Sequence, residues 1–448
     1  MKKIGKYSVT GLLGQGGMGK VFKIQYPVTG KIGALKYLDP NPLLISVMGQ
    51  DAVEALFTQE AMTMAKIRHP NILELFDFDR SDGKLFYTMD FYCNNLGQLM
   101  GEAMETERPT RILSLEKTFH YTRQILEGLG CLHWSGIVHR DIKPFNIMLT
   151  ELDGVKIGDF GLSKLRGETQ KVHGSVKVGS PYYAAPEQEK NPEQATEISD
   201  LYSMGVMLFR MVTGILPENN QVLASPYNSD LDEQWDLFFK KAMHPDPSQR
   251  FQTTQEMAVD LEKLEHQWVK KKELMCALPE DFLDEPPMQI SCDPPRKIPI
   301  KTFEGDAPKR FHLTALMAPM AFLKNNFEKI GLDQVVDHIT GLVWETSGSP
   351  YPMNWKNAHA YVTRLNQQQK MPSPWRLPTI AELISILSPL PQGAGHCLEP
   401  IFDDRQPYLW SSDRCTLISG WYVNLEMGFV GKNDFSSFYH VKAVRDHI

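Results

Sequence analysis

Cysteine is sparse in this 448-residue chain. Its six cysteines are scattered, without the paired spacing of a metal site or the density of a disulfide-stapled scaffold, which suits a reducing compartment. A long apolar run is also missing. Outside the first 267 residues the longest, Leu313 to Leu323, is too short to cross a bilayer and contains Pro319. With no signal-peptide pattern, a cytoplasmic chain without a membrane span is expected. Nor does one charge dominate: 47 Lys and Arg face 54 Asp and Glu, and the net charge of −7 comes with no basic stripe, so nucleic acid is not an expected partner.

Against these absences stands one dense stretch, His139-Arg140-Asp141-Ile142-Lys143-Pro144-Phe145-Asn146, followed by Asp159-Phe160-Gly161. It supplies a carboxylate to accept a hydroxyl proton, an ammonium to steady a transferring phosphate, and an amide and a second carboxylate as ligands for a hard cation. The run resembles the catalytic and metal-binding loops of bacterial eukaryotic-type (Hanks-type) serine/threonine protein kinases. That resemblance implies Asp141 as base, Lys143 on the γ-phosphate, and Asn146 and Asp159 on Mg²⁺, with ATP as phosphate donor. Asp-x-Lys-Pro-x-Asn resembles the serine/threonine rather than the tyrosine branch. Phe145 departs from the small or acidic residue usual there, and in the family that position faces away from the chemistry.

Upstream, Leu13-Gly14-Gln15-Gly16-Gly17-Met18-Gly19 lies between two strand-like runs, Tyr7 to Leu13 and Val21 to Ile24. Glycines at this spacing let backbone amides approach a phosphate chain. A Rossmann turn has nearly the same spacing but opens a helix, whereas here a second strand follows. A plain hairpin is the bland reading. Gly-Gly-Met-Gly resembles the bacterial kinases in particular. Lys36, in the strand Gly33 to Leu38, then stands where the family's lysine meets the α- and β-phosphates. Its helical partner is expected in the pattern from Asp51 to Ile67, where Glu60 shares a face with Met64; the resemblance favours Glu60 over Glu54, because Glu60 stands at the family's usual distance before His69-Pro70-Asn71. By the same resemblance Met89 backs the adenine pocket, the backbone of Asp90 and Tyr92 meets the adenine edge, and Val21, Ala34 and Met148 sandwich the ring. Each of these is also an ordinary core residue type.

Arg140 places a cation beside the expected base, and in the family a phosphate on the activation segment, here Asp159 to Glu187, often neutralises it. Thr169 and Ser175 are the candidate phosphosites, and the sequence does not choose between them. Gly179-Ser180-Pro181-Tyr182-Tyr183-Ala184-Ala185-Pro186-Glu187 resembles the substrate-docking loop, with Ser180 in a place usually held by threonine. Asp200 resembles the residue that braces the catalytic-loop backbone, and Arg250 the partner of Glu187.

The expected fold is α+β. A bilobal kinase fold would fill residues 1–267, with an N-lobe to about 92 and a C-lobe over 93–267. Residues 268–330 read as a proline-containing linker that can lie along the kinase, with a short helix from Ala315 to Ile330. Residues 331–448 read as a small α+β domain carrying five of the 8 tryptophans, expected to be mainly core: Trp344, Trp355, Trp375, Trp410 and Trp421. Helices are expected over Asn354 to Asn366 and from a capping box at Thr379 and Glu382. Thr340-Gly341-Leu342-Val343-Trp344, Trp375-Arg376-Leu377-Pro378-Thr379, Leu409-Trp410-Ser411-Ser412 and Val441-Lys442-Ala443-Val444-Arg445 resemble the Lcl C-terminal type of domain, related to C-type-lectin-like and formylglycine-generating-enzyme-like modules. Cys397 and Cys415 lack the local sequence of oxidase chemistry and read as structural. No acidic cluster is spaced for Ca²⁺ in the lectin manner.

Two functions follow. One is a serine/threonine kinase acting on protein substrates, controlled by activation-segment phosphorylation, with a C-terminal module that senses or binds an unknown protein or small molecule. The other is a catalytically weak scaffold whose C-terminal module is the main binding function. Replacement of Lys36, Asp141, Asn146 or Asp159 would favour the second, and none is replaced.

Overall fold

The computed structural model describes residues 2–447 except 103–107, 160–163, 166–181, 218–221, 276–293, 369–372, 393–394 and 404, with backbone alone at 164–165 and 274–275. Two compact units divide it, Met1–Leu278 and Pro279–Ile448.

The first unit opens with a six-stranded antiparallel sheet of order β1-β2-β3-β4-β6-β5. Its strands are β1 (Lys3–Ile4), β2 (Tyr7–Gln15), β3 (Gly19–Gln25), β4 (Ile32–Leu38), β5 (Leu75–Ser81) and β6 (Lys84–Asp90). The register sets Val21 opposite Lys36 and Lys36 opposite Tyr87, with Ala34 opposite Met89. Directly opposed residues share a sheet face, so these five side chains leave the sheet on one side. Between β4 and β5 run α1 (Pro42–Met48) and α2 (Gln50–Ala65). The buried stripe of α2 is Val53, Phe57, Glu60, Ala61 and Met64, an apolar helical face with one carboxylate inside it.

Below the sheet the unit is mostly helical, with α3 (Leu96–Met100), α4 (Leu115–Trp134), α5 (Pro186–Lys190), α6 (Glu197–Thr213), α7 (Glu233–Ala242) and α8 (Thr254–Met275). Nearly every residue of α6 from Ser199 on is buried, so it is the central helix against which its neighbours pack. It starts at a Thr196 capping box and stops at Gly214, whose φ of 74° favours glycine. Short strands β7 (Asn94–Asn95), β9 (Ile147–Leu149) and β10 (Val155–Ile157) form a small sheet, and β8 (Ile137–Val138) pairs with β11 (Lys164–Leu165). The loop from His139 to Asn146 lies between β8 and β9, and Asp159 follows β10.

The second unit is β-rich. Strands β12 (Phe327–Ile330), β13 (Gln334–Asp337), β14 (Leu342–Glu345) and β20 (Val444–Asp446) form one antiparallel sheet, β17 (Tyr408–Arg414), β18 (Ser419–Asn424) and β19 (Phe429–Asp434) another, and β15 (Leu387–Gln392) with β16 (His396–Leu398) a hairpin. Helices α10 (Trp355–Gln368) and α11 (Ile380–Ser385) accompany them; α11 has the capping box at Thr379 and Glu382. All five tryptophans of this unit are buried. The indole nitrogens of Trp355, Trp410 and Trp421 donate to the carbonyls of Ser411, Met353 and Thr302 at 2.9, 2.9 and 3.0 Å. Cys397 and Cys415 are buried thiols without a disulfide, and burial raises both, Cys397 to about 11.

Two expectations fail. The helix from Ala315 to Ile330 does not form. Pro319 stands where an interior helical amide is needed, and the chain instead makes a bridge from Leu313 to Pro319 before Phe327–Ile330 pairs with β13. Nor is the end of the supposed linker a free spacer. Arg296 clasps the fully buried Asp413 with two bonds of 3.0 and 2.7 Å, and Asp413 also accepts the amides of Ile300 and Ile380 at 2.7 and 2.8 Å. Ala307 and Phe311 of α9 (Ala307–Phe311), with Leu313, enter the same core as Trp344 and Trp421. At the other end, α8 runs eight residues past the expected boundary of 267, to Met275.

Candidate active site

Lys36 pairs with Glu60 and not with Glu54. Lys36 Nζ lies 2.6 Å from Glu60 Oε1 and 3.3 Å from Asp159 Oδ1, while Glu54 turns to Arg80 at 3.0 Å. Burial alone would lower the Lys36 ammonium, but Glu60 first, then Tyr87 and Asp159, outweigh it electrostatically, so Lys36 stands well above the usual lysine range. Burial raises Glu60 against the pull of Lys36. The Lys36 charge holds Asp159 below the ordinary carboxylate value. Three groups from three elements thus form one ionic cluster, carboxylate–ammonium–carboxylate.

The catalytic-loop residues form a second cluster. Lys143 Nζ donates to Asp141 Oδ2 at 2.7 Å, and Asn146 Nδ2 donates to the Asp141 carbonyl at 2.7 Å and to Asp141 Oδ2 at 2.9 Å. Asn146 thus commits its nitrogen to Asp141, and its Oδ1 is the atom left to meet a hard cation. The loop backbone is held from below by the buried Asp200, whose two oxygens accept the amides of His139 and Arg140 at 2.9 and 2.8 Å. Burial works against the Asp200 carboxylate, yet His133, at 2.9 Å, and the other donors bring it below its ordinary value. Arg140 and Asp159 have φ of 68° and 61°, left-handed for residues with a Cβ. Such strain concentrates where surrounding bonds dictate the backbone. His139 supplies one of those bonds, its Nε2 lying 3.1 Å from the Gly158 carbonyl.

In the glycine-rich turn, the Gly16 amide donates to the Gly19 carbonyl at 2.8 Å. A Cβ on Gly19 would fall 2.1 Å from the Tyr37 carbonyl oxygen, so packing on β4 demands glycine there. At Gly14, Gly16 and Gly17 a Cβ would meet open space, so no neighbour among the described residues explains those three. Leu13, Gln15 and Met18 complete the turn, and the Met18 carbonyl accepts the Asp39 amide at 3.2 Å. Ala34 is buried, and Val21, Met89, Asp90 and Tyr92 are half-buried along β3, β6 and the segment after it. Lys31 Nζ lies 3.0 Å from the Asp90 carboxylate. Burial raises the Tyr92 phenol. Met148 lies in the lower lobe, half-buried on β9 opposite Asn95. Phe145 turns its ring onto Gly97 of α3, where even a Cβ would come within 3.0 Å of it. Glu187 and Arg250 form a two-pronged pair at 2.8 and 2.9 Å. Thr169, Ser175 and Ser180 lie outside the described residues.

The sequence reading missed Tyr87, His133 and Gln188. Gln188 donates to the Arg140 carbonyl at 2.7 Å, and Tyr87 Oη to Glu60 Oε1 at 2.8 Å. Tyr87 had a signal available: it sits two residues before Met89, hence on the same strand face.

A protein kinase domain model matches residues 7–273 and an Lcl C-terminal domain model residues 333–445. Serine/threonine-protein kinase pkn3 of Myxococcus xanthus is 34% identical over 221 residues, 47% of this chain and 38% of that protein. Serine/threonine-protein kinase PrkC of Bacillus subtilis is 26% identical over 271 residues, 57% of this chain and 40% of that protein. The chain thus spans about two-fifths of the length of these relatives. A solved Mycobacterium tuberculosis PknI kinase domain is 23% identical with a TM-score of 0.45, covering 59% of this chain and 98% of that one.

Proposed function

The chain belongs to the protein kinase family, and from that premise we propose that its first unit transfers the γ-phosphoryl group of ATP to serine or threonine hydroxyls of proteins. The observation that carries this reading is the convergence of Lys36, Glu60 and Asp159 in one ionic cluster, with Asp141, Lys143 and Asn146 tied together in the neighbouring loop. In the reaction the acceptor oxygen forms its bond to the γ-phosphorus as the bond to the β-phosphate bridging oxygen breaks. The hydroxyl proton goes to Asp141 and ADP leaves. Lys36 would hold the α- and β-phosphates and Lys143 the γ-phosphate. The open space at Gly14, Gly16 and Gly17 suits backbone amides closing on the phosphates. Ala34, Val21, Met89 and Met148, with the backbone of Asp90 and Tyr92, would hold the adenine.

Asn146 and Asp159 fit Mg²⁺: both offer oxygen, and a kinase metal is completed by phosphate and water. The ion's contribution, when bound, is to neutralise charge between the phosphates. Asn146 is oriented for it by its own bonds to Asp141. Phosphate on Thr169 or Ser175 as the control of Arg140 remains part of this proposal on sequence grounds. So does the second unit as a C-type-lectin-like sensing or partner-binding module. The exposed Leu417 and Ile418 at the β17–β18 turn support a binding role.

The test is transfer of labelled phosphate from Mg·ATP to the protein itself and to a generic protein substrate. Wild type should label both, and Asp141→Asn should lower the signal at least 100-fold, as expected for loss of a catalytic base (about 10²–10⁴ in rate). Equal signals from the two would refute the assignment.

A further inference from the structure

We propose that Tyr87 is a positioning residue that tethers α2 to the sheet through Glu60 and so presets the Lys36–Glu60 pair; this rests on the kinase reading above. Tyr87 stands directly opposite Lys36 in the β4–β6 register. Its Oη reaches Glu60 Oε1 at 2.8 Å, the same oxygen that takes Lys36 Nζ at 2.6 Å. The second oxygen, Oε2, is buried and has no hydrogen-bond partner among the described residues. Both donors to this deeply buried carboxylate therefore converge on one atom, one from β4 and one from β6.

The tyrosine ring makes the tether rigid. It packs against Phe57 with centroids 5.2 Å apart, and Phe57 lies one turn before Glu60 on the buried face of α2. Tyr87 thus touches α2 twice, apolar ring on Phe57 and hydroxyl on Glu60. Burying the hydroxyl would be unfavourable without a partner, and Glu60 is the partner it has. A carboxylate in this setting must be kept both ionised and aimed at Lys36. Burial drives it toward the neutral acid, and a hydroxyl donor favours the charged form. Among the described residues, the charged or titratable groups facing Glu60 are Lys36 from β4, Tyr87 from β6 and Asp159 after β10.

Tyr87→Phe removes the hydroxyl and keeps the ring on Phe57. In the full chain it should lower kcat/KM for ATP about 10-fold, the scale of one lost hydrogen bond to a charged group. The acidic limb of the pH profile should move to higher pH, because Glu60 protonates more readily. In a Glu60→Gln background the same change should have little further effect. An unchanged acidic limb with unchanged kcat/KM would overturn the proposal. So would an equal loss in both backgrounds, which would mark Tyr87 as merely structural. Amide hydrogen exchange separates this from the kinase reading. If wild type transfers no phosphate, that reading fails, yet Tyr87→Phe should still speed exchange in residues 50–65 and leave α4 unchanged. Unchanged exchange there would overturn the tether by itself.

Discussion

Lys442 is a buried cation with little to hold it, and replacing it by methionine should stabilise the second unit at neutral pH. Its side chain is 0% exposed, its Nζ donates to the Thr346 carbonyl at 2.7 Å, and it lies 5.4 Å from the Phe402 ring centre. Glu345, Asp403 and Asp333 act on it through their charge alone, without a hydrogen bond to its Nζ. Burial lowers its pKa from 10.5 to about 8. Because the folded value lies below the unfolded one, the unfolded chain binds more protons between those limits, and stability rises with pH from about 8 to 10.5. Below pH 8 the full penalty applies, about 3 kcal/mol at about 1.36 kcal/mol per tenfold change in proton affinity. Lys442→Met removes it and keeps the packing volume. Glu345 keeps its own donors, Tyr361 Oη and the Ala443 amide at 2.9 Å each, and the Thr346 carbonyl keeps the Asp403 amide at 3.1 Å. For a unit of this size the gain corresponds to roughly 6–12 °C in melting midpoint at pH 7. Thermal melts of the full chain, followed by tryptophan fluorescence, read it out, and the difference between variant and wild type should shrink as pH rises from 8 to 10. A variant no more stable than wild type at pH 7, with a difference independent of pH, would refute the reasoning.

Other consequences are equally open to measurement. Arg296→Ala strips the buried Asp413 of its charged partner and should destabilise the second unit by about 3 kcal/mol in urea melts, with the first unit's transition unmoved. A fragment of residues 331–448 lacks Arg296, Thr302, Phe311 and Leu313, and should show weaker amide-exchange protection around Trp421 than one of residues 294–448. Asp200→Asn keeps the size but exchanges one acceptor oxygen for a donor beneath the catalytic loop. It should lower phosphate transfer roughly 10-fold or more without changing the midpoint of the second unit. Arg250→Ala leaves Glu187 partly buried without its two-pronged partner and should lower the first unit's stability by about 2–3 kcal/mol, measured by denaturant titration.

The candidate site was legible because its chemistry is written locally. His139 to Asn146 is eight consecutive residues, and the short-range bonds among Asp141, Lys143 and Asn146 follow from that spacing. Glu60 was legible for another reason: it stands at the distance before His69-Pro70-Asn71 that the resemblance implies, on the helical face of Met64. Tyr87 was passed over because its partner is 27 residues away and a tyrosine in a strand is most simply core. The strap from Arg296 to Leu313 was passed over for the same reason, enlarged. Its partners, Asp413, Arg414 and Trp421, lie more than 100 residues on, and nothing in a proline-dotted stretch announces them.

By itself, then, the sequence determined which chemical groups this protein has, in what order, and which helices and strands carry them, since periodicity, caps and turns act over a few residues. Tertiary structure alone decided that Tyr87 shares the Glu60 oxygen taken by Lys36, and that the segment from Arg296 to Leu313 packs into the core of the second unit. Those outcomes depend on sheet register and buried polar pairing. Both are properties of distant segments brought together, and no local pattern encodes which partner burial will supply.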